Sequence, residues 1–510
     1  MFKTVTTGLC VAAAAFLAAT PTQAQKSKDT LRIAANDQYS VLSPHDLPLD
    51  EAAPFYNQIY SPLMVVDENT GKFLPELAKS WTHINPTTIE FELRDDIVLH
   101  SGKKFNADDI IAMIEYAINP KTKIRSQNRY TWVKNTEKLG PYKFRVHLVE
   151  PYALDLFAFT YRFVAEDSDI LAKLENKADY GRVSAASAGP YKLASYDRNT
   201  GFVLERFDQN KIAHRRAPIG HIQIIPVTDD QTQIAQLLTG GIDVLRNVSE
   251  DNAKELAKKP GIEVTPTKSS QYAYFMMDAI ARSGRKEFTD LRVRKAFNMA
   301  INREAIAKEI IPGGDKVGEV MDALCYPFTS GCSVTKKPYP YNVAEAKKLM
   351  AEAGYPNGFD VNIPVHAPYK DVAEAIAGYL RAINVRATVQ PMTISQYVKA
   401  REDGQLTTFV GARPTGNFPE TIEVMEGFHQ GSRDYWKDDL ILKALDDAKK
   451  IADVAQRTKV LQPAIDRNNE QAYVVPIATL PWVFAHSKDV RIGENQLKPR
   501  MVEISDIFWK

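Results

Sequence analysis

Short strand patterns alternate with helix patterns along most of the chain. Ile89, Phe91 and Leu93 are separated by charged residues, which is the two-residue period of a half-buried strand. Asn106 can cap a helix whose apolar residues recur every three or four positions until Pro120 ends it. Further strands are predicted at 30–35, 142–148, 242–245, 359–365, 385–389 and 406–410, and further helices near Asp229, Asp290, Asn342 and Val372. Strand–helix–strand units at this spacing predict an α/β fold with right-handed crossovers.

The length and the charge balance narrow the class of protein. The chain has 510 residues, several times the size of an ordinary domain, so we expect more than one core. Hydrophobic residues make up 44% of it, which is enough apolar surface to exclude a disordered protein. Lys and Arg number 64 against 63 Asp and Glu. This balance argues against a dedicated nucleic-acid binder, because such a protein needs a basic surface.

The first 24 residues have the organisation of a secretory signal peptide. Lys3 supplies a positive charge, residues 9–19 are apolar, and Thr22-Gln23-Ala24 precedes an abruptly polar stretch. An uncleaved anchor or a buried helix is the alternative, but the apolar run is shorter than the ~20 residues that span a membrane. The bulky Leu9 directly before Cys10 argues against lipidation. We therefore expect cleavage after Ala24 and a soluble, periplasmic product.

Removal of the signal peptide leaves two cysteines, Cys325 and Cys332. A close, isolated pair in an oxidising compartment predicts a disulfide that closes a small loop. Pro327 and Gly331 favour the turn that would bring the two sulfur atoms together. A metal site would need further ligands, and no histidine lies near the pair in sequence.

Motifs of catalysis and of cofactor binding are mostly absent. The nearest stretch to a nucleophile elbow, 185–189, is followed by Pro190 where a helix would be required. The spacing from Gly313 to Gly318 resembles a phosphate loop, but Glu319 replaces the lysine. The nine histidines show no metal-ligand spacing. We expect no metal, no cofactor and no catalytic residue, although distant residues could still assemble a site.

Seven sequence blocks, taken in order, resemble the family 5 extracellular solute-binding proteins, which are peptide, nickel and opine receptors of ABC importers. The blocks lie at 77–81, 88–94, 98–110, 189–193, 241–244, 290–304 and 341–359. The most specific is Asp290-Leu-Arg-Val-Arg-Lys-Ala-Phe-Asn-Met-Ala-Ile-Asn-Arg-Glu304. The resemblance covers about residues 31–486. One departure is Ser101, where the family commonly has Asp.

The resemblance implies a two-lobed periplasmic-binding-protein fold, the Venus flytrap, with a ligand cleft at the hinge. The first lobe would comprise 25–268 with an extra subdomain at about 46–185, the second lobe 269–484, and residues 485–510 would return to the first lobe. Lys268–Tyr274 and Thr479–His486 would be the crossovers. The closed form of a monomeric receptor would dock on an inner-membrane permease whose ATPase drives import. The ligand would be a small molecule or a peptide.

The residue at position 413 bears on the ligand. Peptide-binding members carry an Asp here, in a segment resembling Trp-Gly-x-Asp-Tyr-Pro-Asp-Pro, and it meets the α-amino group of the peptide. This chain has Arg413, which would repel an ammonium group and can grip a carboxylate. The alternative is that Arg413 faces solvent or pairs with Glu420 or Glu423. Further candidate ligand contacts, each with a core, surface or strand-end alternative, are Tyr39, Tyr272, Asp278, Asn417 and Phe418.

Three other functions are also compatible with the sequence. The chain could be an oligopeptide or dipeptide receptor rather than one for a carboxylate-bearing or opine-like solute. It could use the same fold as a sensor or a chaperone. It could also be a secreted hydrolase with an unrecognised site. The lack of recognisable catalytic motifs in the sequence favours a binding protein over the hydrolase.

Overall fold

The computed structural model describes residues 29–35, 42–43, 49–67, 72–122, 124, 127, 130–181, 185–269, 271–326, 329–413, 420–429, 431–493 and 503–510. The strands, numbered along the chain, are β1 (Thr30–Ala35), β2 (Met64–Val66), β3 (Phe73–Pro75), β4 (Ala78–Asn85), β5 (Thr88–Leu93), β6 (Val133–Gly140), β7 (Lys143–Leu148), β8 (Tyr191–Asp197), β9 (Gly201–Arg206), β10 (His221–Pro226), β11 (Val244–Leu245), β12 (Ile262–Thr267), β13 (Tyr272–Met277), β14 (Asp360–His366), β15 (Arg386–Met392), β16 (Thr408–Arg413), β17 (Val474–Thr479), β18 (Trp482–Ser487), β19 (Val490–Ile492) and β20 (Ile507–Trp509). The α-helices are α1 (Leu49–Ile59), α2 (Ala107–Ile118), α3 (Asp155–Ala158), α4 (Ser168–Lys173), α5 (Asp230–Thr239), α6 (Glu250–Leu256), α7 (Leu291–Ala300), α8 (Arg303–Ala305), α9 (Gly314–Val317), α10 (Val343–Glu352), α11 (Lys370–Leu380), α12 (Ile394–Glu402), α13 (Thr421–His429), α14 (Asp439–Ala448) and α15 (Val454–Glu470).

A seven-stranded sheet has the order β12-β18-β11-β1-β10-β9-β8. Strand β1 lies in its interior and is parallel to both neighbours, β10 and β11. Leu31 and Ile33 of β1 are fully buried in a core that also contains Ile222 and Ile224 of β10. The predicted strand at 30–35 is confirmed, and its burial on the sheet explains why the segment is almost wholly apolar.

The chain between β1 and β8, which we call the inserted region (residues 49–181), carries a second sheet. Its order is β4-β5-β7-β6, and every pairing is antiparallel. Helix α2 covers this sheet with its buried face. The Asn106 side chain accepts a hydrogen bond from Asp108 N–H, and Asp109 completes a capping box. The predicted strands at 89–93 and 142–148 and the predicted Asn106 cap are therefore confirmed.

A five-stranded sheet has the order β15-β14-β16-β13-β17. The interior strand β13 is antiparallel to both neighbours, β16 and β17, whereas β14 is parallel to β15 and β16. Along β13, Ala273, Phe275 and Met277 pack into one core, and Tyr272 and Tyr274 pack into another. Both faces of this sheet are therefore covered, which is why every residue of β13 is buried although its side chains alternate between the two faces.

The chain crosses between the two large sheets twice, after β12 at 268–271 and after β17 at 480–481. We call the seven-stranded sheet with the elements packed on it the seven-stranded lobe, and the other the five-stranded lobe. Strand β18 returns to the first of these and pairs with β11 and β12. Both crossings fall inside the segments that the sequence analysis expects, while the full set of lobe boundaries stays a prediction.

Two local features complete the fold. Cys325 and Cys332 form a disulfide with a Cα–Cα distance of 5.8 Å, so the predicted bridge is present. Asp290 and Asn342 cap the helices that follow them, as predicted, and Asp229 caps the helix predicted after it. Among the described residues, no helix combines the length and the apolarity that crossing a bilayer requires.

Candidate ligand-binding cleft

Strand β13 presents a buried tyrosine pair on one face of the five-stranded sheet. Tyr272 and Tyr274 are 0% and 1% exposed, and their ring centroids lie 6.4 Å apart. The Tyr272 hydroxyl donates a hydrogen bond to the Leu324 carbonyl, beside the disulfide. Burial raises the pKa of this hydroxyl well above its ordinary value, so it stays neutral. Tyr272, a predicted ligand contact, is thus a core residue of the five-stranded lobe.

Arg413 ends β16 directly opposite Tyr272 in the antiparallel register. Its Nη2 atom donates to the backbone carbonyl of Glu423 at 2.9 Å, and its guanidinium lies 5.8 Å from the ring centroid of Phe428. Gly427 leaves room for it, since a Cβ there would sit 2.4 Å from the guanidinium nitrogens. Helix α13 therefore holds the Arg413 side chain across the end of the strand.

The carboxylate of Glu423 points to the inserted region. It forms an ion pair with Arg162, and the Tyr161 hydroxyl donates to the same oxygen at 3.4 Å. The side chains of Arg162 and Glu423 are 8% and 24% exposed. Burial disfavours the charge of Arg162, but Tyr161 and Glu423 outweigh it and raise the pKa of the guanidinium. Two arginines, Arg162 and Arg413, thus meet residue 423 from two different parts of the chain.

Asp278 lies just after β13 and is 1% exposed. Its Oδ2 atom accepts hydrogen bonds from the backbone N–H and from the hydroxyl of Ser283, both at 2.8 Å. Its Oδ1 atom accepts from Ile280 N–H at 3.3 Å. These bonds close a turn within the five-stranded lobe, which is the strand-end role considered in the sequence analysis.

The segment after Arg413 is fixed again at Glu420. The carboxylate of Glu420 pairs with Arg457 at 3.0 Å, and both side chains are 1% exposed. Thr421 N–H donates to the carbonyl of Ser330, inside the disulfide loop. Tyr39, Asn417 and Phe418, the remaining predicted contact residues, lie outside the described residues.

The sequence patterns did not predict three residues of this contact between the inserted region and α13: Tyr161, Arg162, and Glu423 in its role as the partner of Arg162. Residues 161 and 423 are 262 positions apart, so no local pattern could bring them together. The run of aromatic residues around Arg162 is no signal for this contact, because Phe159 and Phe163 are buried in the core of the inserted region.

Comparison with known proteins identifies the family. The profile of the bacterial extracellular solute-binding proteins, family 5 Middle, matches residues 72–436, which is most of the chain. The chain belongs to this family. It is 25% identical to the glutathione-binding protein GsiB of Escherichia coli K12 over 490 residues, which cover 91% of each chain. The family consists of solute-binding components of ABC importers, and this chain is one of them.

Solved structures share the two-lobed fold. DppA from Helicobacter pylori in complex with the peptide STSA superposes with a TM-score of 0.78 at 20% identity, covering 94% of this chain and 98% of that one. CtaP from Listeria monocytogenes gives 0.82 at 17% identity, with 94% and 99% covered. AgaA from A. tumefaciens R10 in complex with agropinic acid gives 0.74 at 22% identity, with 94% and 98% covered. The predicted Venus flytrap fold is confirmed.

Proposed function

We propose that this importer component captures a small carboxylate-bearing solute between its lobes. The observation that carries the proposal is Arg413, which stands where peptide receptors of the family carry an aspartate and which α13 holds at the end of β16. A guanidinium binds a carboxylate through two parallel hydrogen bonds and repels an ammonium group. AgaA holds agropinic acid, and GsiB is named for glutathione, a tripeptide that carries two carboxylates beside its ammonium group, which supports a carboxylate-bearing ligand.

A peptide receptor is the second candidate. Two similar structures hold peptides, STSA in DppA and Met-Leu in the dipeptide-binding protein of Pseudoalteromonas sp. SM9913. The dipeptide-binding protein has a TM-score of 0.79 at 19% identity, which shows a shared fold and does not identify the ligand of this chain. The charge at position 413 is what separates the two candidates, because a peptide presents an ammonium group to this position and an acid presents a carboxylate.

Calorimetry on three proteins tests the proposal: the wild type, Arg413→Ala and Arg413→Lys. Glutathione, which has two carboxylates and a net negative charge, serves as the acidic probe, and the dipeptide Met-Leu, which has one carboxylate, one ammonium group and no net charge, serves as the neutral probe. A charged hydrogen bond contributes about 1.5–3 kcal/mol. We therefore expect Arg413→Ala to weaken glutathione binding about tenfold to a hundredfold. Arg413→Lys should restore only part of this loss, because an ammonium lacks the planar fork.

The control is Arg386→Ala, which removes an arginine from an exposed pair with Asp360 at the far edge of the sheet. This variant should bind glutathione like the wild type. Tight binding of Met-Leu, together with an unchanged affinity of Arg413→Ala for glutathione, would reject the acidic ligand and favour the peptide receptor.

We also infer the processing, the location and the lobe boundaries of the protein. Members of the family are exported, and we infer that this chain loses residues 1–24 as a signal peptide and works as a monomer in the periplasm. The first lobe would run from 25 to 268 with a subdomain at about 46–185, and the second from 269 to 484, with 485–510 returning to the first. The loaded, closed form would then hand its ligand to the inner-membrane permease and its ATPase.

A further inference from the structure

The inserted region contacts the five-stranded lobe through residues 152–162. Ala153 N–H donates to the backbone carbonyl of Lys449, after α14, at 2.7 Å. The Leu154 side chain, 2% exposed, belongs to the core cluster of the five-stranded lobe that contains Met425. Arg162 pairs with Glu423 of α13. A backbone hydrogen bond, an apolar anchor and an ion pair therefore join two parts of the chain that the crossings at 268–271 and 480–481 do not link.

The same inserted region is fastened to the seven-stranded lobe. Glu76 is fully buried and pairs with Arg215, which precedes β10, at 3.2 Å. Ser61 N–H donates to the hydroxyl of Ser187, before β8, at 3.1 Å. The core of the inserted region also includes Ile212. Buried charge and core packing tie these parts together, so we expect the inserted region to move as one body with the seven-stranded lobe.

We propose that residues 152–162 form a latch that holds the two lobes closed without any ligand. When a flytrap opens, one lobe rotates against the other about the crossovers. Because the inserted region moves with the seven-stranded lobe, this rotation must pull residues 152–162 away from α13 and Lys449. Opening then separates Arg162 from Glu423 and exposes Leu154, so the latch sets how much of the free protein is closed.

The latch also sets the affinity for any ligand that binds the closed state. The apparent dissociation constant equals the intrinsic constant divided by the fraction of protein in the competent state. A weaker latch lowers the closed fraction and raises the apparent dissociation constant, although Arg162 need not touch the ligand. This inference goes beyond the proposed function and is independent of the charge of the ligand.

Small-angle scattering on the ligand-free protein tests the latch directly. The variants are Arg162→Ala, Glu423→Ala and the exchange Arg162→Glu/Glu423→Arg. The matched control is Arg145→Ala, which removes an Arg–Glu pair to Glu90 within the inserted region. We expect both single variants to have a larger radius of gyration than the wild type, the exchange to recover the smaller radius, and the control to match the wild type.

Glutathione titration adds the second readout, in which the single variants should bind about three- to tenfold more weakly and the exchange should recover. Thermal unfolding checks that each variant is folded, and Glu423→Ala carries the test if Arg162→Ala is not. Identical scattering of the wild type and of both single variants would overturn the latch. If glutathione does not bind at all, the scattering still decides the latch, while the calorimetric test of Arg413 has then failed separately.

Discussion

At the scale of single residues, His100, which lies in the block at 98–110 that resembles the family, has a structural role. Its Nδ1 atom accepts from Ser187 N–H at 3.3 Å, and its Nε2 atom therefore carries the proton and donates to the Gly189 carbonyl at 2.9 Å. A protonated ring would lose the first bond, because both nitrogens would then be donors. Burial lowers the pKa of His100 to about 4, so the ring is neutral in the folded protein at pH 7.

This pKa predicts a loss of stability in mild acid. The unfolded chain takes up a proton at His100 near pH 6.5, whereas the folded protein resists protonation down to about pH 4, so stability falls as the pH drops through this window. While the group is protonated in the unfolded chain but not in the folded protein, each pH unit changes the free energy of unfolding by about 1.4 kcal/mol. Because the side chain keeps some exposure, we expect the free energy of unfolding to fall by about 1–2 kcal/mol between pH 7 and pH 5.

Urea unfolding of the wild type and of His100→Gln at both pH values measures this effect. The wild type should lose about 1–2 kcal/mol more than the variant, since glutamine does not titrate. An equal loss of unfolding free energy in the two proteins would show that His100 is protonated as easily in the folded state as in the unfolded chain.

The departure from the family at Ser101 has a local cause. The Ser101 hydroxyl donates to the carboxylate of Asp167. Lys103 lies beside the same carboxylate at 3.5 Å and also reaches Asp109 and Asp169. An aspartate at position 101 would place a further negative charge against Asp167. Serine supplies a hydrogen atom instead, so the substitution fits the acidic surroundings.

At the scale of elements, helix α13 is anchored at its start by the disulfide loop. Ser330 and Glu420 form a parallel bridge, and Glu420 is held by the buried Arg457. Arg413 at the end of β16 lies seven residues before Glu420. The disulfide therefore helps to fix one end of the segment that joins Arg413 to α13, and α13 in turn holds the Arg413 side chain.

Removal of the disulfide should weaken both stability and binding. Because the closed loop is small, Cys325→Ser/Cys332→Ser should lower the unfolding free energy by about 2–3 kcal/mol at most. We also expect weaker glutathione binding at temperatures where the variant is still fully folded, because the start of α13 loses its anchor. Thermal denaturation and calorimetry measure the two effects, and an affinity equal to that of the wild type would mean that Arg457 alone suffices to hold Glu420.

Strand and helix identities could be predicted from local patterns, but the exact limits of β16 could not. The apolar run at 406–410 predicts a strand there, and the structure has it at Thr408–Arg413. The extension pairs Gly411 and Arg413 with Tyr274 and Tyr272 of β13. A Cβ at position 411 would lie 2.4 Å from the Tyr274 ring, so glycine is required by a neighbour that is distant in sequence.

The candidate site was predictable only in part for the same reason. Arg413 stood out because a resemblance supplied an expected residue for its position. Arg162 had no such reference, and its partner Glu423 lies 261 residues away in the chain. Contacts between distant elements depend on how the lobes sit against each other, which neither periodicity nor capping residues encode.

At the scale of the whole molecule, the mass of the exported protein should report both processing and assembly. Cleavage after Ala24 leaves 486 of the 510 residues, with Gln25 at the N-terminus. Native mass spectrometry of periplasmic material should give a single-chain mass for this species, without a lipid and with the two remaining cysteines oxidised. A lipid on Cys10 or retention of residues 1–24 would contradict the predicted signal peptide, and a dimer mass would contradict the monomer.

Strand β18 has a consequence for the order in which the two large sheets can be completed. It fills the place between β11 and β12, although it follows them by more than 200 residues. Until β18 is in place, β12 has no strand partner among the described residues, and β11 ends the sheet with an unpaired edge. The five-stranded sheet is already complete when β17 has been made. A chain that stops short of β18 could therefore complete the five-stranded sheet but not the seven-stranded sheet, although the seven-stranded sheet contains the first strand, β1.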